Sequence, residues 1–152
     1  MSTGRRIATV AAAFVVSQIL AIIIHGFILA RDYAPFYGTL LRSQDAASWQ
    51  MLLLPVAHLT FISAIVWFYW RLRLEGTRIQ RGLALGTAAW AAGQIPLWLL
   101  WYAEQPWPGD LVIKQLGLEL ASSLIIGLTI VAVAGDAVAV ANGRRDRLAV
   151  SA

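Results

Sequence analysis

The chain has 152 residues, 59% of them hydrophobic and only 13% charged. A soluble domain is about 45–50% apolar and about 25% charged, so both departures, with a mean hydropathy of +0.69, point to a surface of lipid. The composition excludes a disordered chain and a conventional globular enzyme. The absence of cysteine excludes a disulfide scaffold, a thiolate nucleophile and any Cys-ligated zinc or iron–sulfur cluster.

A bilayer core takes roughly 20 apolar residues per helix. Four runs of that kind predict an all-α membrane protein, a four-transmembrane-helix bundle forming a single membrane domain over 1–152, with spans at about 7–30, 51–70, 82–102 and 111–134. The first run follows Arg5 and Arg6 as a signal peptide would, but it exceeds the about 7–15 residues of a cleaved hydrophobic region. It is expected to stay as a span. In the loop that follows, Tyr33, Phe36, Tyr37, Leu40 and Leu41 are expected to lie in the headgroup plane, and Ser43 or Ser48 to cap the second span. Pro55 and Pro96 each remove a backbone donor within a span and predict kinks. Gly82-x-x-x-Gly86 and Ala89-x-x-x-Gly93 in the third span, and Gly117-x-x-x-Ala121 in the fourth, allow close helix approach. Pro106-Trp107-Pro108-Gly109 makes a turn between those spans.

Charge sets the expected orientation. Arg5 and Arg6, then Arg71, Arg73, Arg78 and Arg81, then Arg144, Arg145 and Arg147 place nine of the twelve basic residues on one side. Arg31, Arg42 and Lys114 are left on the other. Short loops rich in Lys and Arg stay cytoplasmic, which predicts an N-in, C-in protein with the 71–81 loop inside. The net charge of +4 is thereby accounted for without nucleic acid, which would need a soluble basic face. Trp67, Phe68, Tyr69 and Trp70 at one boundary, and Tyr33, Tyr37, Trp49, Trp101, Tyr102 and Trp107 at the other, read as interfacial anchors.

Polar residues inside the spans carry the functional signal. Gln115, Glu119, Ser122, Ile126 and Thr129 share one face of the fourth span by their 4, 3, 4, 3 spacing. Gln18 and His25 lie a heptad apart in the first span, as do Thr87 and Gln94 in the third. At about 1.5 Å per residue, His25 sits roughly 8 Å from the outer end of its span, His58 roughly 11 Å, and Gln94 and Glu119 roughly 12 Å. Each helix thus offers one strongly polar or titratable group at similar depth. An ionised acid near mid-membrane costs on the order of 2.5–3.5 kcal/mol, so Glu119 must be protonated or paired, and His25 and His58 are the partners in range.

Three readings follow. The layer of His25, His58, Gln94 and Glu119, supported by Gln18, Gln115 and Ser122, is a structural network fixing helix register, or a site for a proton, a small ligand or a partner helix. In the third reading, His25 and His58 ligate a haem b, or join Glu119 in a two-histidine, one-carboxylate metal site. Transport would need self-association or a partner membrane protein, because four helices leave little room for a pathway. No G-x-S-x-G, phosphate loop or H-E-x-x-H is present, so catalysis is not expected.

His25-Gly26-Phe27-Ile28-Leu29 running into Asp32-Tyr33, Pro55-Val56-Ala57-His58-Leu59, Arg81-Gly82-Leu83-Ala84-Leu85-Gly86, and Lys114-Gln115 ahead of Glu119 give the chain its resemblance. It resembles the small four-helix inner-membrane proteins of bacteria whose function is unknown. The resemblance implies a four-span fold in a bacterial inner membrane and no established activity, and it transfers no catalytic residue.

Overall fold

The computed structural model of the chain describes residues 2–42, 49–72 and 74–135. Four helices in it are long and apolar enough to cross a membrane: Thr3–Ile28, Trp49–Arg71, Arg78–Glu104 and Gly109–Ala134. They are called the first to fourth spans below. Each begins within a few residues of its sequence-predicted start. The proposed caps Ser43 and Ser48 and the basic residues Arg73, Arg144, Arg145 and Arg147 lie outside the described residues.

Local chemistry fixes the span ends. Thr77 and Gln80 form a reciprocal capping box at the start of the third span: Gln80 N–H donates to Thr77 Oγ1 at 3.3 Å and Thr77 N–H donates to Gln80 Oε1 at 2.9 Å. Two orphan donors are satisfied together. The fourth span stops at Gly135, whose φ of +63° few side chains tolerate. Arg5 Nε, from the start of the first span, donates to Val133 O at 3.3 Å there. A cation therefore sits on the carbonyl end of the fourth helix, where the dipole favours it, and the first and fourth spans run antiparallel. The end carrying Thr3, Arg71, Arg78 and Ala134 is called proximal, and the opposite end distal.

The fourth span is central and packs along the third and the first, while the second lies against the first and touches the third only lightly. Close approach of the third and fourth spans rests on glycine. A Cβ on Gly82 would lie 2.8 Å from the Leu128 side chain, and one on Gly86 would lie 2.7 Å from Leu124 Cα. Gly127 meets the backbones of Gly82 and Gly86 from the other side. The expected Gly82/Gly86 contact is thus formed. Gly117 has open space around it and Ala121 is exposed, so that small-residue pair does not pack inside this chain.

Two cores result. The proximal core gathers Ala13, Ile62, Ile65, Val66, Tyr69, Leu85, Ile126, Ile130, Val131 and Ala134 from all four spans. The distal core gathers Ile24, Leu29, Tyr33, Trp98, Trp107, Leu111 and Val112, with no described residue of the second span. The first and third spans both loosen into π-helical turns, Ile22–Ile28 and Trp90–Gln94. The second has a simple cause. Pro96 offers no donor to the carbonyl four residues back and crowds it, and the turn widens so that Ile95 N–H reaches Trp90 O instead. Pro55 behaves differently from expectation. It lies where the 3₁₀ turn Trp49–Leu52 passes into the α-helix Leu53–Arg71, at a helix start, where a missing donor is tolerated.

The aromatic anchors divide. Trp49, Trp67 and Tyr102 are exposed as anchors should be, and Arg71 lies over the Trp67 ring at 5.1 Å. Tyr33, Tyr69 and Trp107 are buried instead. In the distal loop, Phe36, Tyr37, Leu40 and Leu41 pack onto the distal core, which takes apolar surface out of solvent.

Candidate polar site within the bundle

Glu119 comes from the middle of the fourth span, and Gln115 lies one turn toward its distal end on the same face. Gln115 is 1% exposed and its Nε2 donates to Glu119 Oε1 at 2.9 Å. That donation fixes the amide orientation, leaving Gln115 Oε1 to accept from the Tyr33 hydroxyl at 2.7 Å. A hydroxyl has one proton, so Tyr33 Oη can only accept from its other neighbour, His25 Nδ1, 3.4 Å away. His25 therefore carries a proton on Nδ1. Its Nε2 faces Glu119 Oε1 at 3.5 Å.

The four side chains close a ring, its last side formed by His25 Nε2 and Glu119 Oε1 facing each other across 3.5 Å. The His25 side chain is 41% exposed and that of Glu119 16%, so the histidine side of the pair is the accessible one. Its distal side is covered by an aromatic plug. The Tyr33 ring stacks on His25 with centroids 5.9 Å apart, and Trp107 meets Tyr33, Phe36 and Trp98 at 6.5, 5.2 and 6.2 Å.

Known protein families, curated proteins and solved structures give no match to this chain.

The predicted layer is only partly assembled into this ring. His25 and Glu119 meet. His58 is in a second pair, its Nδ1 accepting from Gln18 Nε2 at 2.8 Å. Gln94 is half-buried and joins neither group among the described residues. Ser122 is buried below Glu119 outside the ring. Thr87, on the Gln94 stripe, is exposed. Among the described residues no three His, Asp or Glu side chains are grouped to hold a metal ion, and both Nδ1 atoms already have partners, with His25 Nε2 turned to Glu119.

Tyr33 is the site residue that sequence reasoning passes over, since next to a helix end it reads as an anchor. A signal for it did exist. Asp32 and Lys114 form an ion pair, and each is followed directly by a ring member, Tyr33 and Gln115. Opposite charges at one membrane boundary, each beside a polar residue, mark both residues as neighbours. At Trp90, Nε1 donates to Leu116 O at 2.9 Å, tying the π-helical turn of the third span to the helix that carries the ring.

Proposed function

We propose that the protein is a multi-pass, non-enzymatic protein of a bacterial inner membrane, with both termini cytoplasmic, and that its His25–Tyr33–Gln115–Glu119 ring is a proton-linked site in the outer half of the bilayer. The nine-to-three division of basic residues supports the orientation. The observation that carries the site is the approach of His25 Nε2 to Glu119 Oε1 at 3.5 Å. The other three links are hydrogen bonds among Gln115, Tyr33 and their neighbours. The fourth pairs two groups that both titrate, one of them the side chain suited to switching near neutral pH.

Coupled groups release protons in macroscopic steps that belong to the pair. The ¹⁵N signals of His25, followed against pH in labelled protein in lipid nanodiscs, should respond differently in the parent protein and in Glu119→Gln. If His25 titrates identically in both proteins, and the substitution alters thermal stability alone, the ring is structural and this function is wrong.

A further inference from the structure

The proximal end carries more positive charge than the chain itself answers. Segments 1–6, 71–81 and 135–152 hold nine arginines and only three acids, Glu75, Asp136 and Asp146. Among the described residues Glu75 is the one acid at that end. Arg5 is engaged by the carbonyl end of the fourth span, and Arg81 is buried. Arg6 and Arg71 are exposed, and neither has a carboxylate partner among the described residues.

Both side chains are nonetheless held in place. The last turn of the second span sets Trp67, Trp70 and Arg71 three and four residues apart, on one face of the helix. Arg6 reaches across from the first span and lies over the Trp70 ring at 5.4 Å, and Arg71 lies over the Trp67 ring at 5.1 Å. Stacking engages the flat face of a guanidinium and leaves the N–H groups along its edge able to donate. The end of the second span therefore presents two indole-backed cations. Trp67 and Phe68 beside them are each 52% exposed, and an aromatic belt ending an apolar span sits at headgroup level.

We infer that this patch binds the headgroup of an anionic phospholipid, with Arg6 and Arg71 donating to its phosphodiester oxygens and its acyl chains running along Trp67 and Phe68. Charge complementarity selects the lipid class. Phosphate oxygens match the paired donors of a guanidinium, whereas a zwitterionic headgroup would bring its ammonium into the same positive field. A free phosphate would meet the cations but leave the exposed rings uncovered. The inference needs the helices to lie in a membrane. It is independent of the proposed proton-linked ring in the distal half, and of which end is cytoplasmic.

Delipidated full-length protein in a neutral detergent, titrated with dioleoyl phosphatidylglycerol and separately with dioleoyl phosphatidylcholine, tests it, with bound lipid counted by native mass spectrometry. Saturable binding of phosphatidylglycerol, about tenfold tighter than that of phosphatidylcholine, is expected. Arg6→Gln and Arg71→Gln should each weaken it about fivefold, the effect of one arginine at an anionic surface. Arg78→Gln removes the same charge from the same end but outside the patch, and should leave the affinity unchanged. Trp67→Leu keeps every charge, removes one stacked ring at an exposed position, and should weaken binding as well. Equal affinity for the two lipids would overturn the assignment. An equal loss in Arg78→Gln would also overturn it, leaving only a diffuse positive surface. So would binding unchanged in Arg6→Gln, Arg71→Gln or Trp67→Leu. Full competition by inorganic phosphate would give the patch to a free anion instead of a lipid.

Discussion

Tyr33 shows how much one side chain does at the distal end. It donates to Gln115, stacks on His25 and carries Trp107 on its edge. Burial, then the nearby Glu119, Tyr37 and Asp32, hold its phenol well above the ordinary tyrosine range. An unfolded tyrosine ionises near pH ~10, whereas the folded one stays neutral beyond that point. The stability contributed by the neutral phenol is therefore complete below about pH 10 and declines as pH rises above it. Tyr33→Phe should destabilise the protein by about 1–3 kcal/mol at neutral pH, because Gln115 Oε1 loses its donor while remaining buried. The variant should also lose part of the alkaline decline. Denaturation in detergent at about pH 8 and pH 11, bracketing the tyrosine range, measures both, and an unchanged alkaline slope would remove Tyr33 from this role. The adjacent Asp32–Lys114 pair contributes less, since its side chains are 37% and 48% exposed and exposed pairs are worth little.

Among the elements, the third and fourth spans show where helix spacing informs and where it stops. Gly82-x-x-x-Gly86 and Gly117-x-x-x-Ala121 look alike as patterns, yet only the first is a contact inside this chain. Small-x-x-x-small spacing puts two residues on one stripe and says nothing about which way that stripe points when every side of a helix is apolar. Gly86→Ala should destabilise by about 1–3 kcal/mol, because the added methyl meets backbone that cannot yield. Gly117→Ala has open space and should be neutral or stabilising by about 0.5–1 kcal/mol. Thermal unfolding of the two variants in one detergent gives the comparison, and equal effects would refute the packing described. The four spans themselves were legible from apolar run length, and the pairing of His25 with Glu119 from polar spacing and depth. The π-helical turn at Trp90–Gln94 was implicit in Pro96, whereas the turn at Ile22–Ile28 contains no proline and leaves no sequence mark. Because that turn alters the register of everything distal to it, the inward folding of Tyr33 and the separation of Gln94 from the ring were not readable from an ideal helix.

At the scale of the whole molecule, charge, packing and chemistry divide along one axis. The proximal end is tightly packed and basic, with Arg6 over Trp70 at 5.4 Å and Arg5 on the end of the fourth span. The distal end holds the His25–Glu119 ring and the aromatic plug. Whether a proton reaches the ring from the cytoplasm or from outside depends on which end faces which compartment. Under the proposed orientation the proximal end lies in the cytoplasm. Having no cysteine, the chain allows this to be tested with single introduced thiols and no background. Glu75, in the proximal loop, and Glu104, at the distal end of the third span, are both exposed and outside both cores. In sealed cells a membrane-impermeant maleimide should label Glu104→Cys and leave Glu75→Cys untouched until the membrane is broken. The opposite pattern would place the ring in the cytoplasmic half and expose it to cytoplasmic pH. Labelling of both variants in sealed cells would mean insertion in two orientations, in which case the arginines do not fix the direction from which the ring is served.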